Sequence, residues 1–221
     1  MYAMIFSRLD IAFAVSSLSQ FMTNPGITHW KALIRAMRYL RATMDFCICY
    51  GAVGNDKLNL LSGYTDASWA GDVDTHKSTS GFTFFLNNGP VSWNSRKQSL
   101  IALSSTESEY IAASQATKEA IWLRNLLSDI GLNQYAPTTL FCDNQSAIAL
   151  SANPRFHSRS KHIVLKYHFV RSKVLNEVVR LQYCRTQDMT ANVFTKALSL
   201  ELHRRLCVEL SLKVKAFKDS D

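Results

Sequence analysis

Nowhere does this chain carry the unbroken run of about 18 apolar residues that a membrane-spanning helix needs. Arg8 and Asp10 interrupt the apolar N-terminus, and later segments alternate with charges. A basic start, an apolar stretch and a small-residue cleavage site do not follow one another in MYAMIFSRLDIAFAVSS, so that segment reads as a helix and not as a secretory signal. Cysteines are few and odd in number: Cys47, Cys49, Cys142, Cys184 and Cys207 include no C-x-x-C pair. That argues against a zinc site and against a disulfide framework, leaving reduced thiols that pack as small apolar groups in a cytosolic protein. Internal repeats and low-complexity segments are missing as well. What remains is 221 residues, 47% hydrophobic and 19% charged, with 8 Gly and 4 Pro, enough for one full domain and a smaller attachment.

Acidic residues are scarce in one region. Between Asn144 and Gln187 only Glu177 is acidic, against Arg155, Arg159, Lys161, Lys166, Arg171, Lys173, Arg180 and Arg185. With a formal charge of +8, this block suits a polyanion and makes nucleic acid the expected partner.

The apolar pattern divides the chain. Ile11, Val15, Leu18 and Met22 form one helical stripe, closed by Asn24-Pro25-Gly26. Trp30, Leu33, Ile34 and Met37 form a second, with Lys31, Arg35 and Arg38 on another face that serves either as a solvated surface or as a phosphate track. Residues 46–54 read as a short strand and turn, and 58–66 and 80–86 as strands. Asn87-Asn88-Gly89 makes a tight hairpin into a strand at 91–95. Helical periodicity over 104–130, ended by Gly131, then leads to a strand at 138–143, as in a crossover that lays the new strand parallel in the same sheet. A short helix at 144–152, a basic loop, a helix at 162–175, a strand at 178–184 and a final helix from Asp188 complete an α/β reading.

Asp66 and Asp143 each close one of these strands, where ligands gather in α/β sheets. Singly, each reads as a turn residue or a helix cap. The long helix adds a third carboxylate: steps of three and four from Glu109 reach Ala112, Ala116, Ala120, Leu123, Leu127 and Ile130, the stripe that must face the sheet. Glu107 points elsewhere and fits a capping box from Ser104; Thr106 with Glu109 fits the same spacing, so a cap role for Glu109 stays open beside the inward one. Converging carboxylates repel unless a cation joins them, and hard oxygen donors suit Mg2+. Two such ions can activate a water and stabilise a leaving phosphodiester oxygen, which points to a metal-dependent nuclease or nucleotidyl transferase.

The same residues carry a resemblance. GYTDASWAGD from Gly63, KSTSGF from Lys77, VSWNSRKQSLIALSSTESEYIA from Val91, CDNQSAIAL from Cys142, FHSRSKHI from Phe156 and FTKAL from Phe194 resemble the ribonuclease H domain that ends copia-type retrotransposon Pol polyproteins. SRLDIAFAVSSLSQFM and HWKALIRAMRYLRAT resemble the end of the preceding reverse transcriptase. The resemblance implies a ribonuclease H-like mixed five-stranded sheet flanked by helices and preceded by a small helical segment. Its implied divisions are 1–52 as reverse-transcriptase remnant, 57–212 as ribonuclease H-like domain and 213–221 as a disordered tail.

By the same resemblance the activity is endonucleolytic hydrolysis of the RNA strand of RNA:DNA hybrids with two Mg2+ ions, for which Mn2+ can substitute. The implied partners are the hybrid and the rest of the Pol polyprotein, with no membrane, and the implied location is a cytoplasmic retroelement particle or the nucleus. Asp66, Glu109 and Asp143 take three of the family's four metal-binding places. The fourth is an aspartate two residues before FTKAL, where this chain has Asn192. Lys77, Arg96, Lys97, Gln98, Asn144, Arg159 and Lys161 are the implied nucleic-acid contacts. Leu9 and Val164 are smaller departures, at places where the family shows proline and an acidic residue. The alternative reading is a nucleic-acid-binding remnant weakened in catalysis by Asn192. No Tyr-x-Asp-Asp motif and no zinc-binding His/Cys spacing is present, which sets aside polymerase and integrase chemistry.

Overall fold

A computed structural model describes residues 1–51, 59–152 and 161–214, with backbone alone for 161–163. Five strands form one sheet: β2 (Ser62–Ser68), β3 (Thr79–Leu86), β4 (Gly89–Lys97), β5 (Thr138–Cys142) and β6 (Val179–Tyr183), in the order β4-β3-β2-β5-β6. β2, β3 and β4 are antiparallel neighbours, while β5 lies parallel to β2 and β6 parallel to β5. Asn87 and Asn88, at φ 52° and 61°, supply the left-handed conformations of the β3–β4 turn.

The helix α4 (Ser105–Asp129) covers one face of the sheet together with α5 (Gln145–Ala152) and α6 (Lys161–Leu175). Phe82, Phe84 and Leu140 meet Tyr110, Ala113, Ala116, Ala120, Leu123 and Leu127 there, as strand alternation and helical period require. The Ser104 hydroxyl caps α4 by accepting from the Glu107 N–H at 3.2 Å. At the other end Leu132 N–H donates to the Leu127 carbonyl (2.7 Å) and Gly131 N–H to that of Ser128 (3.0 Å), with Gly131 at φ 82°. This Schellman closure turns the chain away, so Ile130, expected on the inward stripe, is 63% exposed.

The opposite face departs further from expectation. In place of a helix from Asp188 the chain makes two 3-10 turns, Thr186–Asp188 and Thr190–Phe194, and α7 (Leu200–Glu209) starts only after the Ser199 cap. All five residues of the second turn are buried, an environment that an amphipathic surface helix with one wet side does not fit. This turn and α7 pack with Leu9, Ala12, Tyr64, Phe85, Trp93 and Phe141 in a second core.

The N-terminal elements α1 (Tyr2–Phe6), α2 (Ala12–Ser19) and α3 (Ile27–Ala42) lean on this second core. α2 ends at Ser19, before Pro25, leaving Met22 71% exposed. β1 (Phe46–Ile48) pairs antiparallel with β7 (Leu212–Val214), so Lys213 and Val214, expected in the tail, are strand residues. Trp30, Leu33 and Met37 of α3, expected in the core, are exposed, because α3 docks through Tyr39 and Thr43 onto Arg8 and Asp10. Among the described residues no helix is long and apolar enough to cross a membrane.

Candidate active site

The parallel ladder between β2 and β5 pairs Ser62 with Thr139, Gly63 with Leu140 and Tyr64 with Phe141. Two residues further along each strand stand Asp66 and Asp143, so the register alone makes them neighbours. Asp66 is not at the strand end, since β2 continues to Ser68; it is 1% exposed, whereas Asp143 is half-buried just past β5. Glu109, on the second turn of α4 and 6% exposed, joins them: its carboxylate lies within 4.8 Å of Asp143 and the Cys142 sulfur.

Glu109 is held on one side by the backbone N–H of Ala67, while its Oε2 is buried with no hydrogen-bond partner. Burial foremost, and then the charges of Asp66 and Asp143, push its carboxyl up to about 9. Burial likewise raises Asp66 and the Asp143 charge adds to it, against the Lys196 ammonium and the Thr195 hydroxyl, which favour its ionised form. A bare buried carboxylate oxygen beside two more carboxylates is a donor set that suits a hard divalent cation. Glu107 takes the role expected of it: its Oε2 accepts from the Leu103 N–H at 2.9 Å, just outside the helix.

Asp66 gains two partners that sequence reasoning did not single out. Thr195 donates its hydroxyl to Asp66 Oδ2, and Lys196 Nζ lies 3.5 Å from the same oxygen. Both residues belong to the FTKAL stretch, which was the available signal. Gly81, the register partner of Asp66 on β3, admits them: a Cβ there would fall 2.6 Å from the Phe194 Cβ and 2.7 Å from the Thr195 Cγ2. Asn192 is 1% exposed; its amide donates to the Thr186 carbonyl at 2.7 Å, and its Oδ1 is buried without a partner. With Lys196, Arg185 and Thr186 it lines a cleft of about 710 Å³.

The expected nucleic-acid contacts fall into three groups. Arg96 is exposed and Lys77 is half-buried. Lys97 pairs with Asp72, Asn144 caps α5 by accepting from Ala147 N–H at 2.9 Å, and Gln98 faces inward, 2% exposed, donating to Ser80 Oγ at 2.8 Å and the Ser108 carbonyl at 2.9 Å. An inward amide with both bonds inside the fold supports the sheet and is not a surface contact, which corrects that expectation. Arg159 lies outside the described residues, and Lys161 opens α6 with its side chain undescribed.

A mixed sheet with its first three strands antiparallel and two more parallel beyond the first, flanked by helices and carrying one carboxylate on β2 and another just past β5, is a ribonuclease H-like fold. No protein-family model matches the chain. It is 44% identical over 210 residues to the retrovirus-related Pol polyprotein from transposon TNT 1-94 of Nicotiana tabacum, covering 95% of this chain and 15% of that protein. It is also 53% identical over 123 residues to secreted RxLR effector protein 161 of Plasmopara viticola, covering 56% of this chain and 84% of that one. The chain is homologous to the copia-type, retrovirus-related Pol polyproteins of transposons, and it spans about one seventh of the tobacco relative's length. Among solved structures, LC11-RNase H1 in complex with an RNA/DNA hybrid is similar at 10% identity, covering 61% of this chain and 93% of that one with a TM-score of 0.45.

Proposed function

We propose that this chain hydrolyses the RNA strand of RNA:DNA hybrids within a retroelement Pol polyprotein, with divalent ions held by Asp66, Glu109 and Asp143. The observation that carries this reading is Glu109, whose Oε2 is buried without a partner and whose carboxylate lies within 4.8 Å of that of Asp143, with the charge of Asp66 acting on it as well. A bound divalent ion supplies Lewis acidity and lowers the pKa of a coordinated water, giving a nucleophile for a phosphodiester at neutral pH. The chain's own part is to hold these carboxylates: Ala67 N–H orients Glu109, and Thr195 and Lys196 orient Asp66. Lys77, Arg96, Lys97, Asn144, Arg159 and Lys161 then contact phosphates and sugars, and the 2′-hydroxyl distinguishes the RNA strand.

The exposed apolar stripe of α3, Trp30, Leu33 and Met37, supports a partner in the rest of the polyprotein, and the site of action is the cytoplasmic retroelement particle or the nucleus. The second reading, a binding remnant with weakened catalysis, is favoured by Asn192, whose amide is committed to Thr186. A labelled RNA:DNA hybrid incubated with Mg2+, beside a binding titration, separates the two. Cleavage to 5′-phosphate and 3′-hydroxyl ends supports the hydrolase; binding without cleavage supports the remnant.

A further inference from the structure

Asp66 is a carboxylate almost without solvent, so its charge must be offset from within the protein. Among the described residues its ion-pair partner is Lys196, and the preceding residue, Thr195, donates to the same oxygen. The arrangement is built into the fold. The 3-10 turn Thr190–Phe194 delivers both residues, and the side-chain-free Gly81 directly across from Asp66 leaves the space through which that turn approaches.

The two members of the pair differ in their freedom. The Asp66 side chain is 1% exposed, but that of Lys196 is 36% exposed. Lys196 also lines both clefts beside the site: the one it shares with Arg185, Thr186 and Asn192, and one of about 400 Å³ bounded by Phe13, Ser17, Asp72 and Lys97. Its ammonium can therefore leave Asp66 for open space without crossing the core. One turn before it, Asn192 contributes no charge, so on this side of the site the ammonium faces no second carboxylate from its own turn.

We propose that Lys196 is a resident cation of the site, which holds Asp66 until a divalent ion displaces it and which thereby sets how much metal the protein needs. This rests on the reading of Asp66, Glu109 and Asp143 as ion ligands, and makes Lys196 a positioning residue and a competitor for the ion. Asp66 keeps its charge balanced in both states, by the ammonium before the ion arrives and by the ion afterwards. Replacing the ammonium by an apolar group of similar length removes the competitor. Divalent-ion affinity then rises by about tenfold, the scale of one unit charge at this separation under strong screening.

The test is a calorimetric Mn2+ titration of the full chain without nucleic acid, on the wild type, Lys196→Met, Lys196→Arg and Asp66→Asn, beside melting curves in chelator. Lys196→Met should bind Mn2+ about tenfold more tightly and melt lower without metal, because Asp66 then lacks its counter-charge; Lys196→Arg should stay near the wild type. Gly81→Ala, which pushes Thr195 away from β3, should shift affinity in the same direction as Lys196→Met, and it decides the matter if Lys196→Met fails to fold. Wild-type binding that Asp66→Asn abolishes but that Lys196→Met leaves unchanged or weakens overturns the competition and spares the ion site. Wild-type binding that is missing, or indifferent to Asp66→Asn, overturns both.

Discussion

Three carboxylates in one small volume make the site's chemistry a matter of single atoms. Asp66→Asn and Asp143→Asn should each abolish Mg2+-dependent cleavage while circular dichroism stays unchanged; normal turnover in either folded variant would sink the assignment. Glu109→Gln should behave in the same way, because its free Oε2 has no structural duty. Glu107→Gln should cost only a cap interaction, about 1 kcal/mol of stability, with cleavage retained; equal losses of activity in the two variants would refute the distinction. Asn192→Asp should lower the Mg2+ concentration at half-maximal rate and raise cleavage, with little change in duplex affinity. Identical metal titrations of that variant and the wild type would mean that Asn192 serves only the Thr186 carbonyl. Away from the site, Lys97 holds the Asp72 carboxyl down to about 2, with Thr75 helping. This depressed value contributes stability above pH 3.8, the ordinary value, that is lost as pH falls through about 2. Lys97→Met should therefore raise the Asp72 titration midpoint towards its ordinary value in a carbon-detected NMR titration.

At the scale of elements, what was legible in the sequence is what local chemistry dictates. The α4 stripe, its Ser104 cap, the Asn87-Asn88 turn and the β2–α4–β5 crossover each follow from spacing, and together they suffice to bring Asp66, Glu109 and Asp143 into one place. Illegible were features decided by what packs on top. The turn at Thr190–Phe194 loses its helical form because it is buried all round, and Gln98 turns inward because Ser80 and Ser108 offer acceptors from a strand and a helix distant in sequence. The apolar residues of α3 give no sign that the helix docks by Tyr39 and Thr43 instead. That docking converges on a buried ion pair, Arg8 with Asp10 at 2.7 Å, to which the Tyr39 hydroxyl adds a 2.6 Å bond; burial first, and then Asp10, push the Tyr39 phenol well above its usual range. Leu9, between the paired residues, is fully buried in the core shared with Phe194 and Leu206. Arg8→Met should therefore leave Asp10 buried and uncompensated and cost about 3–5 kcal/mol. In urea the loss should appear as one earlier transition for the whole chain. A separate early step confined to the N-terminal helices would show that they fold apart from the sheet.

Over the whole molecule the +8 charge sits unevenly, and its placement separates docking from chemistry. The carboxylates lie on β2, just past β5 and on the second turn of α4. Exposed bases among the described residues include Arg96, Arg180 and Arg185, and the sequence adds Arg159 and Lys161. A polyanion held mainly by such bases releases counterions as it binds, so log affinity should fall linearly with log salt, by about 0.9 per phosphate neutralised on a B-form duplex. Sequence preference should be weak, since contacts to phosphates and sugars carry no base identity. Changing Arg159 and Lys161 together to Gln should weaken binding to every hybrid tested and flatten the salt dependence by roughly the slope of two contacts. The same changes at Lys31, Arg35 and Arg38 of α3 discriminate further: these residues are exposed, but their helix stands beside the sheet on the Arg8–Asp10 support and carries none of the carboxylates. A slope altered by the α3 changes would make that helix part of the track, and a slope altered only by Arg159 and Lys161 would confine docking to the basic stretch that those two residues belong to. If affinity in the unaltered chain did not depend on salt at all, electrostatic docking would be the wrong account of how this surface meets its duplex.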